Sequence, residues 1–115
     1  MRKLRGVRMA VGEALVRIPI NEAAVASLCR KYGIKELSVF GSILRDDFDP
    51  ARSDVDVLVE FSPNSPVESL FDIIGVKHEL SDILDRDVDL VEKRALSPYI
   101  KDRVLESRRV IYVLP

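Results

Sequence analysis

The chain is predicted to fold as a mixed α and β (α+β) domain. Three features predict it: a capped, one-sided helix beginning at Asn21, a strictly alternating run over residues 54–61, and further helix-like and strand-like segments that follow in turn to residue 114.

The first twenty residues carry a weak pattern. "ALVRIPI" is compatible with an extended segment, and Pro19 argues against a helix running into Asn21. Asn21 is a suitable N-cap for a helix whose apolar positions Val25, Leu28, Cys29 and Tyr32 follow the i, i+3, i+4, i+7 spacing, and Gly33 is placed to end it. "ELSVF", residues 36–40, then reads as a strand running into Gly41-Ser42, with a helical turn over 43–47 before Pro50. In residues 54–61, Val55, Val57, Val59 and Phe61 alternate with Asp54, Asp56, Leu58 and Glu60, the period of a strand with one buried face. Ser65-Pro66-Val67-Glu68 has the form of a capping box with proline at the first helical position. It predicts a helix to about residue 85, striped by Ile73, Val76, Leu80, Ile83 and Leu84. "DVDLV" (87–91) is a third strand, Ser97-Pro98 opens a helix through Leu105, and "VIYVL" (110–114) is a final strand, at an edge or inside the sheet.

At 115 residues and 47% hydrophobic content the chain suffices for one core and is too short for two, so residues 1–115 are expected to form a single domain with 1–20 as an extension of no evident role. A formal charge of -1 supplies no overall field for a polyanion, which disfavours direct nucleic-acid binding. One cysteine, Cys29, excludes a disulfide framework and a cysteine zinc site and fits a reducing compartment. No apolar run approaches the roughly 20 residues that span a bilayer, and Glu13 interrupts the basic start, so no membrane association and a cytoplasmic location are expected.

The chemistry concentrates in "FGSILRDDFDPARSDVDVLVEF", residues 40–61. Asp54 and Asp56 are two apart on a strand, so their carboxylates leave one face about 7 Å apart along the backbone. Like charges held together persist ionised only beside a cation, and hard oxygen ligands select magnesium or manganese. Magnesium is usually held by one or two protein carboxylates plus substrate phosphates, which suits a shared metal and nucleotide site. Gly41-Ser42, at a strand end before a helical turn, would let backbone N–H groups and a hydroxyl approach phosphate oxygens, with Arg45 adding positive charge. Asp89 in "VDLV" offers a third carboxylate able to complete a metal pair and accept a proton. Each element also has a structural reading: a solvated strand face for Asp54 and Asp56, a plain turn for Gly41, surface ion pairs for Arg45 and Arg52, an edge strand's solvent side for Asp87 and Asp89.

In combination and order, "YGIKELSVFGSILRDDF", "SDVDVLVEF", "DVDLV" and "LSPYIKDRVLESRRVIY" resemble the minimal nucleotidyltransferase family of the DNA polymerase beta-like superfamily, over residues 22–112. The resemblance implies a small mixed β-sheet flanked by helices. By that likeness Gly41, Ser42 and Arg45 bind the nucleotide, while Asp54, Asp56 and Asp89 are catalytic and hold metal, with two Mg2+ ions expected and ATP as substrate. It further implies an antitoxin of the MntA kind that transfers AMP to a tyrosine of a HEPN-type toxin partner. Eleven residues separate Ser42 from Asp54, one more than the commonest spacing of that family.

Two other classes compete. A non-catalytic module of the same fold would mask a partner by contact, and the longer loop favours it. A calcium loop through Asp46, Asp47, Asp49, Asp54 and Asp56 fails because no register places both a glycine sixth and a glutamate twelfth. His78, with no second histidine or cysteine nearby, reads as a surface or half-buried side chain, and Cys29 as core. Tyr32, Tyr99 and Tyr112 read as packing residues, any exposed one being a candidate acceptor of AMP in self-modification, and the final strand, if at an edge, as a route to homo-oligomers or partner contact.

Overall fold

The computed structural model describes residues 20–41 and 54–115. Helix α1, Glu22–Tyr32, forms where the sequence places it. Asn21 Oδ1 accepts a hydrogen bond from the Ala24 N–H at 3.0 Å, and Gly33, at φ 64°, closes the other end with its N–H on the Cys29 carbonyl. Strand β1, Ile34–Phe40, starts two residues earlier than predicted, because the Gly33 turn delivers Ile34 directly into the core opposite Phe61. Strand β2 is Val55–Phe61 and antiparallel to β1.

Helix α2, Leu70–Leu84, departs from expectation at its start. Ser65 does not cap it. The Ser65 hydroxyl instead donates to the Tyr32 carbonyl at 2.6 Å and accepts from the Val67 N–H at 3.1 Å, so it satisfies an orphan carbonyl at the end of α1. The capping box falls four residues later: Ser69 Oγ accepts from the Asp72 N–H at 3.2 Å, and Asp72 Oδ2 accepts from the Ser69 N–H at 3.2 Å. Strand β3 (Val88–Glu92), a single 3₁₀ turn (Lys93–Ala95), helix α3 (Pro98–Ser107) and strand β4 (Arg109–Val113) complete the described fold. The expected turn over 43–47 and the expected extended segment before Pro19 lie outside the described residues.

The four strands form one mixed sheet in the order β3-β2-β1-β4, with β1 antiparallel to both neighbours and β2 parallel to β3. A parallel pair needs a crossover, and α2 supplies it. Val55, Val57 and Val59 are fully buried in the core shared with Val25, Leu28 and Cys29 of α1 and Val76, Leu80 and Leu84 of α2. Asp56, between Val55 and Val57, therefore leaves the opposite face, where Leu58 and its partner Ser38 are also buried near the sheet centre. Strand β4 lies at an edge. Tyr112 is core and Tyr32 half-buried, but Tyr99 is 91% exposed and is not a packing residue: it sits in the first turn of α3, a helix with no buried residue. No helix among the described residues is long and apolar enough to cross a membrane.

Candidate active site

The parallel register pairs Val55 with Val88 and Asp56 with Asp89. Directly paired residues of a parallel ladder project to the same face, on strands about 4.8 Å apart. Asp56 and Asp89 are thus lateral neighbours at the beginnings of their strands. Asp54 precedes β2 by one residue, and the chain there is held to β3 by the Val55 N–H, which donates to the Asp87 carbonyl at 3.0 Å. Asp54 and Asp89 are exposed and Asp56 is half-buried.

On the other side of β2, the register sets Phe40 against Asp56, so Gly41 begins its turn beside that carboxylate. Gly41 has φ 73°, a conformation L side chains rarely adopt, and a Cβ built there would lie 2.3 Å from Asp56 Oδ2. Only glycine leaves the carboxylate its position. Three strands therefore present a row across one end of the sheet: the Gly41 turn on β1, Asp56 on β2, Asp89 on β3. Ser42 and Arg45, expected to contact nucleotide, lie outside the described residues.

A cleft of about 500 Å³ opens beside this row, lined by Asp54 and Asp89 together with Lys77, His78, Ser81 and Asp82 of α2. Sequence reasoning set His78 aside and did not weigh the other three α2 residues. Their i, i+4 pairs (Lys77 with Ser81, His78 with Asp82) mark one helix face, but nothing in the sequence places that face at the start of β3. A second cleft, about 640 Å³, lies towards the other end of β2 among Phe61, Leu70, Ile73, Lys93 and Lys101, and none of the expected site residues lines it. There Glu60 is desolvated, which would raise its pKa, but Lys93 at 3.2 Å and Lys35 at 3.7 Å outweigh burial and hold it below the usual glutamate value.

Among the described residues, no three His, Cys, Asp or Glu side chains are gathered into a ready-made metal cage. The donor set still fits a hard divalent cation of the magnesium kind, which takes one or two carboxylates and completes its shell with water and substrate phosphate. Asp56 and Asp89, paired on adjacent strands, supply the carboxylates of such a set.

Residues 22–111 match the nucleotidyltransferase domain family, and the chain belongs to it. It is a nucleotidyltransferase. A protein of Methanocaldococcus jannaschii is 39% identical over 90 residues, covering 76% of this chain and 92% of its own. The protein adenylyltransferase MntA of Thermococcus cleftensis is 38% identical over 86 residues, covering 75% of this chain and 81% of its own. Among solved structures, a toxin-antitoxin complex with AMP-PNP matches with a TM-score of 0.63 at 22% identity, over 83% of this chain and 75% of that one. A complex of tri-AMPylated Shewanella oneidensis HEPN toxin with MNT antitoxin matches with a TM-score of 0.57 at 22% identity, over 81% and 70%. The shared architecture is the minimal nucleotidyltransferase fold, which in the described residues of this chain is a four-stranded mixed sheet with three helices.

Proposed function

We propose that the chain transfers AMP from ATP to a tyrosine hydroxyl of a HEPN-type toxin and so serves as the antitoxin of a two-gene system. The observation that carries this reading is the row of Gly41, Asp56 and Asp89 across three adjacent strands. Support also comes from the 38% identical relative named a protein adenylyltransferase, and from the fold shared with antitoxins solved beside an ATP analogue and beside an AMPylated HEPN toxin.

In this mechanism Gly41 and Ser42 orient the β- and γ-phosphates, the absence of a Cβ on Gly41 letting the turn keep its positive φ beside Asp56. Asp54, Asp56 and Asp89 would hold Mg2+, one or two ions, which when bound neutralises charge on the triphosphate. The acceptor oxygen attacks the α-phosphorus in line. As that bond forms, the bond from the α-phosphorus to the oxygen bridging it to the β-phosphate breaks, and pyrophosphate leaves with the electron pair. The hydroxyl proton passes to the Asp89 carboxylate. Positioning and charge complementarity supply most of the rate. The buried thiol of Cys29 suits a reducing, cytoplasmic setting.

The test is transfer of label from α-labelled ATP to the co-expressed toxin. Asp54→Asn and Asp56→Asn are each expected to lower it by about 10² or more while leaving the circular-dichroism spectrum unchanged. Full transfer by either variant overturns the assignment, and absence of Mg-ATP binding in the unaltered chain points instead to masking by contact.

A further inference from the structure

Resting on that reading, we infer that the cleft between α2 and the start of β3 is the acceptor entrance, and that Lys77, His78 and Asp82 position the incoming toxin segment. The inference follows from the order of the strands. In-line displacement requires the attacking and leaving oxygens on opposite sides of phosphorus. On the proposed reading the leaving pyrophosphate lies at the Gly41 turn, which follows the end of β1. Strand β2, with Asp56, lies between β1 and β3, so the opposite side of the phosphorus is the side of Asp89.

Among the described residues β3 is an edge strand, and no further strand lies beyond it on that side. What stands there is the cleft of about 500 Å³ that Asp54 and Asp89 share with Lys77, His78, Ser81 and Asp82. Lys77, His78 and Asp82 are exposed, and α2 is anchored from beneath by Val76, Leu80 and Leu84, so these outward groups sit on a rigid element at the mouth. The α2 side of the rim presents an ammonium, an imidazole, a hydroxyl and a carboxylate. It suits a polar, hydroxyl-bearing loop of a folded acceptor rather than an apolar helix. His78 thereby acquires a role as a hydrogen-bonding group toward the acceptor.

The experiment is steady-state transfer of AMP to the purified toxin by the full chain, with Lys77→Glu, His78→Ala and Asp82→Lys, and Asp102→Lys on α3, which does not line the cleft, as a control. Each rim variant is expected to raise KM for toxin about tenfold, while the Mg-ATP dissociation constant by calorimetry and kcat at saturating toxin stay within about twofold. The control should change none of these. Unchanged KM for toxin in all three rim variants overturns the inference, as does a tenfold loss of Mg-ATP affinity, which would make the cleft a nucleotide site. Asp56→Asn separates the two levels: a silent rim with an inactive Asp56→Asn removes only the acceptor entrance, whereas an active Asp56→Asn removes the catalytic reading beneath it.

Discussion

Single residues decide the site through very small distances. At Gly41 the positive φ and the proximity of Asp56 Oδ2 act together, so any Cβ both strains the backbone and displaces a carboxylate. Gly41→Ala is expected to cost about 1–2 kcal/mol of stability and to reduce AMP transfer by about 10², the scale for a misplacement near 1 Å. Urea titration and label transfer measure the two effects, and an active Gly41→Ala would show that the turn plays no part. Cys29 behaves oppositely. Desolvation by burial, only partly offset by Arg30, pushes its thiol pKa up to about 12, and a thiol kept protonated is a poor nucleophile. A disulfide reagent at neutral pH should leave Cys29 unmodified in the native protein and react fully in denaturant. The cysteine's place in a core was readable from its spacing with Val25 and Leu28. The role of Gly41 as a spacer for Asp56 was not, because the two residues are fifteen apart and meet only through strand pairing.

Between elements, the two core helices are clasped at one point. Glu79 of α2 accepts from the Tyr32 hydroxyl and, at 3.0 and 3.1 Å, from Lys31 Nζ of α1. Those bonds, the tyrosine's first, hold the Glu79 pKa below the usual 4.5. A depressed carboxylate contributes stability above its unfolded pKa and loses it as pH falls through the folded one. The melting temperature of Glu79→Gln should therefore fall short of wild type at pH 7, and the gap should narrow as pH falls below the usual glutamate value of 4.5. A constant gap would mean that the charge of Glu79 is irrelevant to the clasp. The start of α2 shows the limit of local reading. Both Ser65 and Ser69 precede an acidic residue by three, and local chemistry does not choose between them. The choice falls to Ser69 because Ser65 is committed to the Tyr32 carbonyl beside the Gly33 turn, a tertiary contact across thirty-three positions.

For the molecule as a whole, one crossover does most to assemble the site. Helix α2 carries the chain from the end of β2 back to the start of β3, and only then does Asp89 lie beside Asp56. Leu80, fully buried beneath that helix, ties it to the sheet. Leu80→Ala is expected to destabilise the protein by about 3 kcal/mol. The loss should appear as a lower denaturation midpoint, with transfer activity per folded molecule preserved. A loss under about 1 kcal/mol would mean that α2 is held elsewhere.

By itself the sequence determined what depends on near neighbours: the period-two alternation of β2, the Asn21 and Gly33 ends of α1, and the residue types suited to metal and phosphate. Backbone sterics and side-chain reach act within a few positions, so those features survive without the rest of the molecule. Only the tertiary structure decided the strand order, the Asp56 and Asp89 register, the closeness of Gly41 to Asp56 and the presence of His78 at the mouth. Each of these is a meeting of distant segments, set by which apolar faces bury each other, and no local pattern carries that information.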